Sequence, residues 1–201
     1  MTENTTSKRT QVERTRARKE QVIDAAIRFF GQNGFHGARL AEIAKAAGVT
    51  GPGLLHHYPS KELLLMDVLA ERDRIDQARF DPAGPGESGG PLVSLQALEQ
   101  YNQTLPGLVQ LFTVLVAESI DEKHPGHAFF LQRYRDLRTR YIPLIEALQA
   151  KGEIRKEIPA EDLVILVFAV MDGLQIQWLY EPETIHMAQI FDQFSQLLKP
   201  A

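Results

Sequence analysis

Between residues 48 and 62 the chain reads GVTGPGLLHHYPSKE, with three glycines, two histidines, a serine and a lysine in fifteen positions. A Gly-Pro-Gly triplet at a helix start leaves backbone N–H groups uncovered. Such groups, helped by the helix dipole, suit anionic oxygens such as those of phosphate. His56, His57 and Lys61 add polar and cationic groups close by. A second set is HPGH, which places His124 and His127 three residues apart. A metal site needs three or four ligands, and no third histidine or fixed carboxylate can be placed nearby, so HPGH reads as a loop. The third candidate is Asp172, a carboxylate inside the apolar run EDLVILVFAVMDGLQIQWLY. It needs an arginine, a hydroxyl or a ligand as partner, and an intramolecular or cross-dimer hydrogen bond would serve.

Enzymatic chemistry finds little support. The histidines are scattered, and there is no nucleophile motif, phosphate loop or metal cluster, so no cofactor is expected. The chain lacks cysteine, which removes disulfides, thiolate metal sites and cysteine nucleophiles. The polar N-terminus, MTENTTSKRTQVERTRARKE, has no apolar signal core, and no window approaches about eighteen uninterrupted apolar residues. A cytoplasmic protein without a membrane partner is the expectation. The net charge of −4 is unevenly spread: ten Lys or Arg face five Asp or Glu up to Lys61, and twelve face twenty-one beyond it. A basic N-terminal third on an acidic body fits contact with a polyanion at one end.

The elements that would position these groups are helices, because apolar residues recur at about 3.6-residue spacing and no alternating strand pattern persists. A first helix is predicted over 14–32, with Val22, Ala26, Phe29 and Phe30 on one stripe and Asn33-Gly34 as its C-cap. Short helices follow over 40–46 and after Thr50, separated by a turn in which Gly48 takes positive φ. Pro59-Ser60 punctuates the chain, and Ser60 caps a fourth helix reaching about Phe80. Residues 81–91, DPAGPGESGGP, have the composition of a flexible connection. Five further helices are predicted over 92–103, 106–121, 125–151, 160–180 and 182–199, the third with a possible kink at Pro143.

Two short helices joined by a glycine-containing turn and packed on a longer one make a helix-turn-helix unit. Its second short helix enters the DNA major groove with its N-terminal residues toward the bases. Thr50 would cap that helix, Pro52 is tolerated in its first turn, and Gly51 and Gly53 allow close approach of backbone to DNA. The alternative is an ordinary turn between core helices with exposed histidines.

Residues 25–69 carry FGQNGF, AEIAKAAGV and LLHHYPSKE followed by an apolar helix, and this segment resembles the N-terminal domain of TetR-family transcriptional regulators. The resemblance implies an all-α protein: a three-helix helix-turn-helix domain joined by a linking helix to a helical bundle for ligand binding and dimerisation. The expected organisation is a flexible basic arm over 1–13, the DNA-binding domain over 14–61 and the ligand-binding and dimerisation domain over 62–201. Carried over by position, the family's DNA contacts fall on Arg39, Thr50, Gly51, His56, His57 and Lys61. Leu55 stands where a phosphate-touching tyrosine is common, and Ala38 or Arg39 replaces the threonine that often opens the second helix. Arg39, His56 and the basic residues Arg14, Arg16, Arg18 and Lys19 are therefore expected to carry an unusual share of contact.

In the second bundle, Phe112, Leu115, Phe129, Tyr134, Phe168, Met171, Asp172 and Trp178 are candidates to line a mainly apolar effector cavity. The same residues could simply be core. The resemblance implies a homodimer through the last two helices, which also suits a palindromic double-stranded DNA operator. The leading reading is a regulator, repressing until a small-molecule effector releases it. A ligand-binding or adaptor protein with weakened DNA recognition, and a small helical enzyme, are the alternatives.

Overall fold

The structure is a computed structural model that describes residues 3–80 and 90–200, with side chains from Arg16 onward. Every regular element in those residues is a helix. The N-terminal part holds α1 (Glu3–Gly37), α2 (Leu40–Ala46), α3 (Gly51–His57) and α4 (Lys61–Phe80). The remainder holds α5 (Pro91–Asn102), α6 (Pro106–Glu118), α7 (His127–Lys151), α8 (Ala160–Tyr180) and α9 (Met187–Leu197). An all-α fold of this kind is what the periodicity predicts.

Some boundaries differ from expectation, each for a local reason. α1 starts at Glu3 rather than near residue 14, so residues 3–13 are helical where an arm was expected. That stretch holds neither proline nor glycine, so nothing in it stops propagation outward from the packed part of the helix. The side chain of Arg14 and the connection over 81–89 lie outside the described residues. α6 ends at Glu118, short of residue 121, because Asp121 accepts from the Lys123 and His124 amides in a turn. α9 starts at Met187 rather than near 182: the Thr184 and Ile185 amides both donate to the Glu181 carbonyl, holding a turn there. α7 runs through Pro143, where the missing amide leaves the Thr139 carbonyl without its helical donor.

Two cores hold the chain together. The first joins Val22, Ala26 and Phe30 of α1 to Ile43 of α2, Leu54 of α3, and Leu65 and Leu69 of α4. It continues into Leu111, Phe112 and Leu115 of α6 and Phe130 of α7. The head and the start of the larger bundle therefore share one core, which crosses the line drawn after residue 61. The second core is built by α5 to α9 around Tyr141, Ile145, Leu163, Val167, Trp178 and Phe191. α5 packs mainly on α9, and α7 on α8. α8 has a mean hydropathy of 1.7 and is long and apolar enough to cross a membrane by that measure, but it is the helix around which α6, α7 and α9 pack.

The junction of head and body is fixed at Gly34. Its φ of 66° breaks α1, and the Phe35 amide then donates to the Glu118 carboxylate at 2.7 Å. A Cβ on Gly34 would stand 1.9 Å from a Glu118 oxygen, so both conformation and space require glycine here.

Candidate nucleic-acid interface and ligand cavity

The turn between α2 and α3 is held by its backbone. The Gly48 amide donates to the Lys45 carbonyl at 3.2 Å, the Val49 amide donates to the Ala44 carbonyl at 3.0 Å, and Gly48 sits at φ +67°. Thr50 caps α3 by accepting the Gly53 amide at 3.1 Å. Pro52 follows in the first turn, where its missing amide loses nothing. The two glycines then separate in purpose. A Cβ on Gly53 would lie 3.0 Å from the Thr50 hydroxyl, so this glycine lets the cap close. A Cβ on Gly51 would meet nothing within 4 Å, so packing gives no reason for its being glycine.

Leu54 anchors α3 in the core at 1% exposure, while Leu55, His56 and His57 face outward. The two histidine rings sit edge to face, 5.4 Å apart. Arg16, Arg18, Lys19, Thr50 and His57 line one open cleft between the N-terminal half of α1, the turn, α3 and the start of α4. Arg39, Gly51 and His56 are exposed outside that cleft, with Arg39 at the N-cap of α2. Arg16 pairs with Glu20 at 3.0 Å, and Lys19 with Asp67 at 3.0 Å. Among the described residues Arg18 and Arg39 make no ion pair. Tyr58 donates to the same Asp67 at 2.7 Å, and burial, strengthened by that carboxylate, pushes its hydroxyl pKa up.

Lys61 has a structural task beside the one its position implies. Its ammonium donates to the carbonyls of Ala38 at 3.0 Å and His36 at 3.3 Å, and lies 4.5 Å from the Phe35 ring centroid. It ties α4 to the corner between α1 and α2. His124 and His127 are likewise structural: the Gly126 amide donates to His124 Nδ1 at 3.0 Å, and His127 Nδ1 lies 2.8 Å from the Ser119 carbonyl. Burial holds His124 below the ordinary imidazole pKa.

In the larger bundle a small cavity of about 90 Å³ lies between α4, α5, α6, α7 and α8. Phe112, Tyr134, Phe168, Met171 and Asp172 line it, five of the eight residues proposed from sequence. The other three lie elsewhere. Leu115 is one turn further along α6, inside the core beneath α1, and Phe129 packs on that same core. Trp178 is about 9 Å beyond Asp172 along α8, given a rise of about 1.5 Å per residue, and is buried in the second core.

The cavity is much more ionic than expected. Arg72 is 6% exposed; it donates to Asp76 at 3.1 Å, to Asn102 at 3.1 Å and to the Leu108 carbonyl at 2.9 Å. Arg133 pairs with Asp73, and the two guanidiniums lie 5.1 Å and 4.9 Å from the Phe112 centroid. Tyr134 donates to Asp172 at 2.7 Å, the hydroxyl partner that Asp172 requires. Burial raises the carboxyl pKa of both Asp73 and Asp172, with Arg133 opposing the shift. Behind the wall, Glu99 is fully buried; it accepts a long bond from Gln175 at 3.4 Å, and the Asn102 side chain also favours its charged form. Desolvation above all, with the Asp172 charge adding to it, pushes Glu99 up to about 7.

The signal for this network was present in α4. Leu65, Leu69, Arg72 and Asp76 follow each other at helical spacing, so the charged pair continues the buried stripe rather than facing water. Leu95, Glu99 and Asn102 do the same on α5. Among the described residues no group of three or more His, Cys, Asp or Glu is arranged to hold a metal.

Comparison with known proteins gives the same direction. Residues 22–68 match the model for bacterial regulatory proteins of the tetR family. Over 67 residues the chain is 45% identical to the transcriptional regulator RutR of Escherichia coli, a match covering 33% of this chain and 31% of RutR. It is 32% identical over 158 residues to the transcriptional repressor NicS of Pseudomonas putida, covering 74% of this chain and 69% of NicS. A TetR-family regulator from Agrobacterium tumefaciens has the same fold, with a TM-score of 0.78 at 15% identity over 92% of this chain and 99% of that one.

Proposed function

The chain belongs to the TetR family of bacterial regulatory proteins, and from that premise we propose a cytoplasmic, ligand-responsive repressor that binds a near-palindromic operator as a homodimer. The observation that carries the reading is the course of α4. Its first residue, Lys61, is bonded to the corner of the helix-turn-helix head, and three turns later Arg72 and Asp76 form part of the cavity wall. One helix therefore touches both the DNA-reading unit and the cavity. A ligand that prefers one disposition of α4 biases the head by as much as its affinities for the two dispositions differ.

DNA contact is assigned to exposed groups at the head: the α3 N-terminus at Thr50 and Gly51, His56 and His57, Arg39, and the arginines of α1. The first two supply backbone donors for phosphate, and Arg39 is free to reach a base or the backbone. Dimerisation is assigned to α8 and α9. Ile165, Leu166 and Ile176 are 46–48% exposed on one side of α8, with Ala169 and Gly173 between them, and Leu197 of α9 is 67% exposed. An apolar helix face of this kind, open in one chain, suits a two-fold four-helix contact with a second copy.

The direct test is retention of sheared genomic DNA by purified protein at two salt concentrations, followed by sequencing. Enrichment of a near-palindrome with affinity falling steeply in salt is the expected result. Retention without sequence preference would instead favour a ligand-binding or adaptor protein whose α3 no longer reads bases.

A further inference from the structure

α3 reads GPGLLHH, with no arginine, lysine, asparagine, glutamine, aspartate, glutamate, serine or threonine. Those are the side chains that read base edges in the major groove through hydrogen bonds. At 3.6 residues per turn, successive side chains rotate by about 100° around the helix axis. Leu54 points into the core at 1% exposure, so Pro52 and His56 lie about 160° from it and face straight out. Leu55 lies about 100° from Leu54, on the flank next to Pro52. The opposite flank holds Gly53 and His57, which border the cleft lined by Arg16, Arg18 and Lys19. The outward arc of α3 is therefore Leu55, Pro52 and His56, in that order.

Two of these three side chains are carbon only, and they stand side by side. A single exposed leucine is ordinary on a protein surface. Leu55 is 48% exposed on a head that also exposes Arg18 and Arg39, neither of them in an ion pair among the described residues, so its face suits a polyanion. Gly51, one turn before Leu55, has no side chain, and a Cβ there would meet nothing within 4 Å. The first turn of α3 thus has little bulk to hold Leu55 and Pro52 away from a groove floor. In the major groove a base pair presents one apolar group, the C5-methyl of thymine. His56 adds hydrogen-bonding nitrogens, but they diverge around the ring and do not fit two atoms of one base edge together.

Resting on the operator-binding reading above, we propose that α3 reads thymine methyl groups, with Leu55, beside Pro52, packed on the C5-methyl of a thymine in each half-site. Leu55 is then the residue of α3 that determines specificity, and it does so by burying a methyl group rather than by paired hydrogen bonds. The half-site opposite α3 carries at least one T·A pair that G·C does not replace.

The test uses the genomic fragment that the full-length protein retains best, remade as a synthetic duplex. Thymines are replaced by deoxyuridine, which lacks only the C5-methyl, one position at a time and at the same place in both half-sites. Affinities are read by fluorescence anisotropy for wild type, Leu55→Ala and Arg39→Ala. Leu55 is exposed and outside both cores, so Leu55→Ala is expected to fold with unchanged thermal unfolding. One buried methyl is worth about fourfold, so at one thymine position or more the symmetric replacement is expected to cost wild type about fifteenfold. Arg39→Ala should show the same cost on a weaker baseline, and Leu55→Ala should show close to none. No cost at any half-site thymine, on an operator that wild type still binds with sequence preference, would overturn methyl readout and leave operator binding standing. A cost equal in wild type and Leu55→Ala at every position would assign it to DNA deformability or another side chain and overturn the role of Leu55. Binding without sequence preference would overturn both readings.

Discussion

Gly51 and Gly53 stand two residues apart at the start of α3 and differ in what they are for. Gly53 makes room for the Thr50 cap, whereas Gly51 faces open space. Gly53→Ala is therefore expected to loosen the cap and lower stability by about 1 kcal/mol. Gly51→Ala should leave stability within about 1 kcal/mol of the parent or raise it, since it removes unfolded-state freedom at no steric cost. If the Gly51 backbone meets phosphate, the same substitution weakens DNA binding. Thermal unfolding and operator titration of the two variants separate these effects; equal stability losses would contradict the division of roles. Arg39→Ala is expected to reduce operator affinity by about tenfold, in line with the 1–3 kcal/mol typical of a specific arginine contact. Unchanged affinity in a filter-binding or anisotropy titration would remove Arg39 from the interface.

At the scale of elements, α4 carries the most demanding chemistry. Removing one member of a buried ion pair leaves the other uncompensated, so Arg72→Met is expected to destabilise by about 3–5 kcal/mol. The double change Arg72→Met with Asp76→Leu should recover much of that loss, and denaturant unfolding of the three variants reads it. No recovery in the double variant would mean that Asn102 and the Leu108 carbonyl, not Asp76, are what Arg72 serves. α5 makes a pH-dependent contribution through Glu99, raised by burial from 4.5 to about 7. The folded state then holds a proton that the unfolded chain releases, so stability falls as pH rises between about 4.5 and about 7. Glu99→Gln is expected to flatten that slope and to stabilise the protein at pH 8 relative to the parent, by at most about 3 kcal/mol, with little gain near pH 4. Unfolding curves of both proteins across this range check it.

Helical punctuation made most of the elements legible in the sequence. Gly34, Gly48, Thr50 and Ser60 each act at the position their type predicts, and α8 runs from Ala160 to Tyr180 as its apolar run indicates. The cavity was harder to see because its polar members look like surface residues. Arg72, Asp76 and Glu99 are charged types that are rarely buried, and only their phase relative to Leu65, Leu69 and Leu95 reveals that they face inward. Lys61 was legible only in part: its place at a helix start fits phosphate, and only the structure shows that the Ala38 and His36 carbonyls take two of its three N–H donors.

For the whole molecule, the central claim is a dimer that reads DNA at one end and holds a ligand at the other. Leu166→Arg places a charge on the exposed face of α8 and is expected to yield a folded monomer by sedimentation equilibrium. That monomer should bind operator far more weakly, because two half-sites then need two independent encounters. The measurement that tests the claim most directly is the affinity of wild-type protein for the genomic fragment it retains best, followed across a salt series. The expected result is a near-palindromic site with log affinity falling steeply and linearly against log salt, and loss of binding in Leu166→Arg. An affinity independent of sequence, or one that Leu166→Arg leaves unchanged, would contradict a dimeric operator-binding regulator.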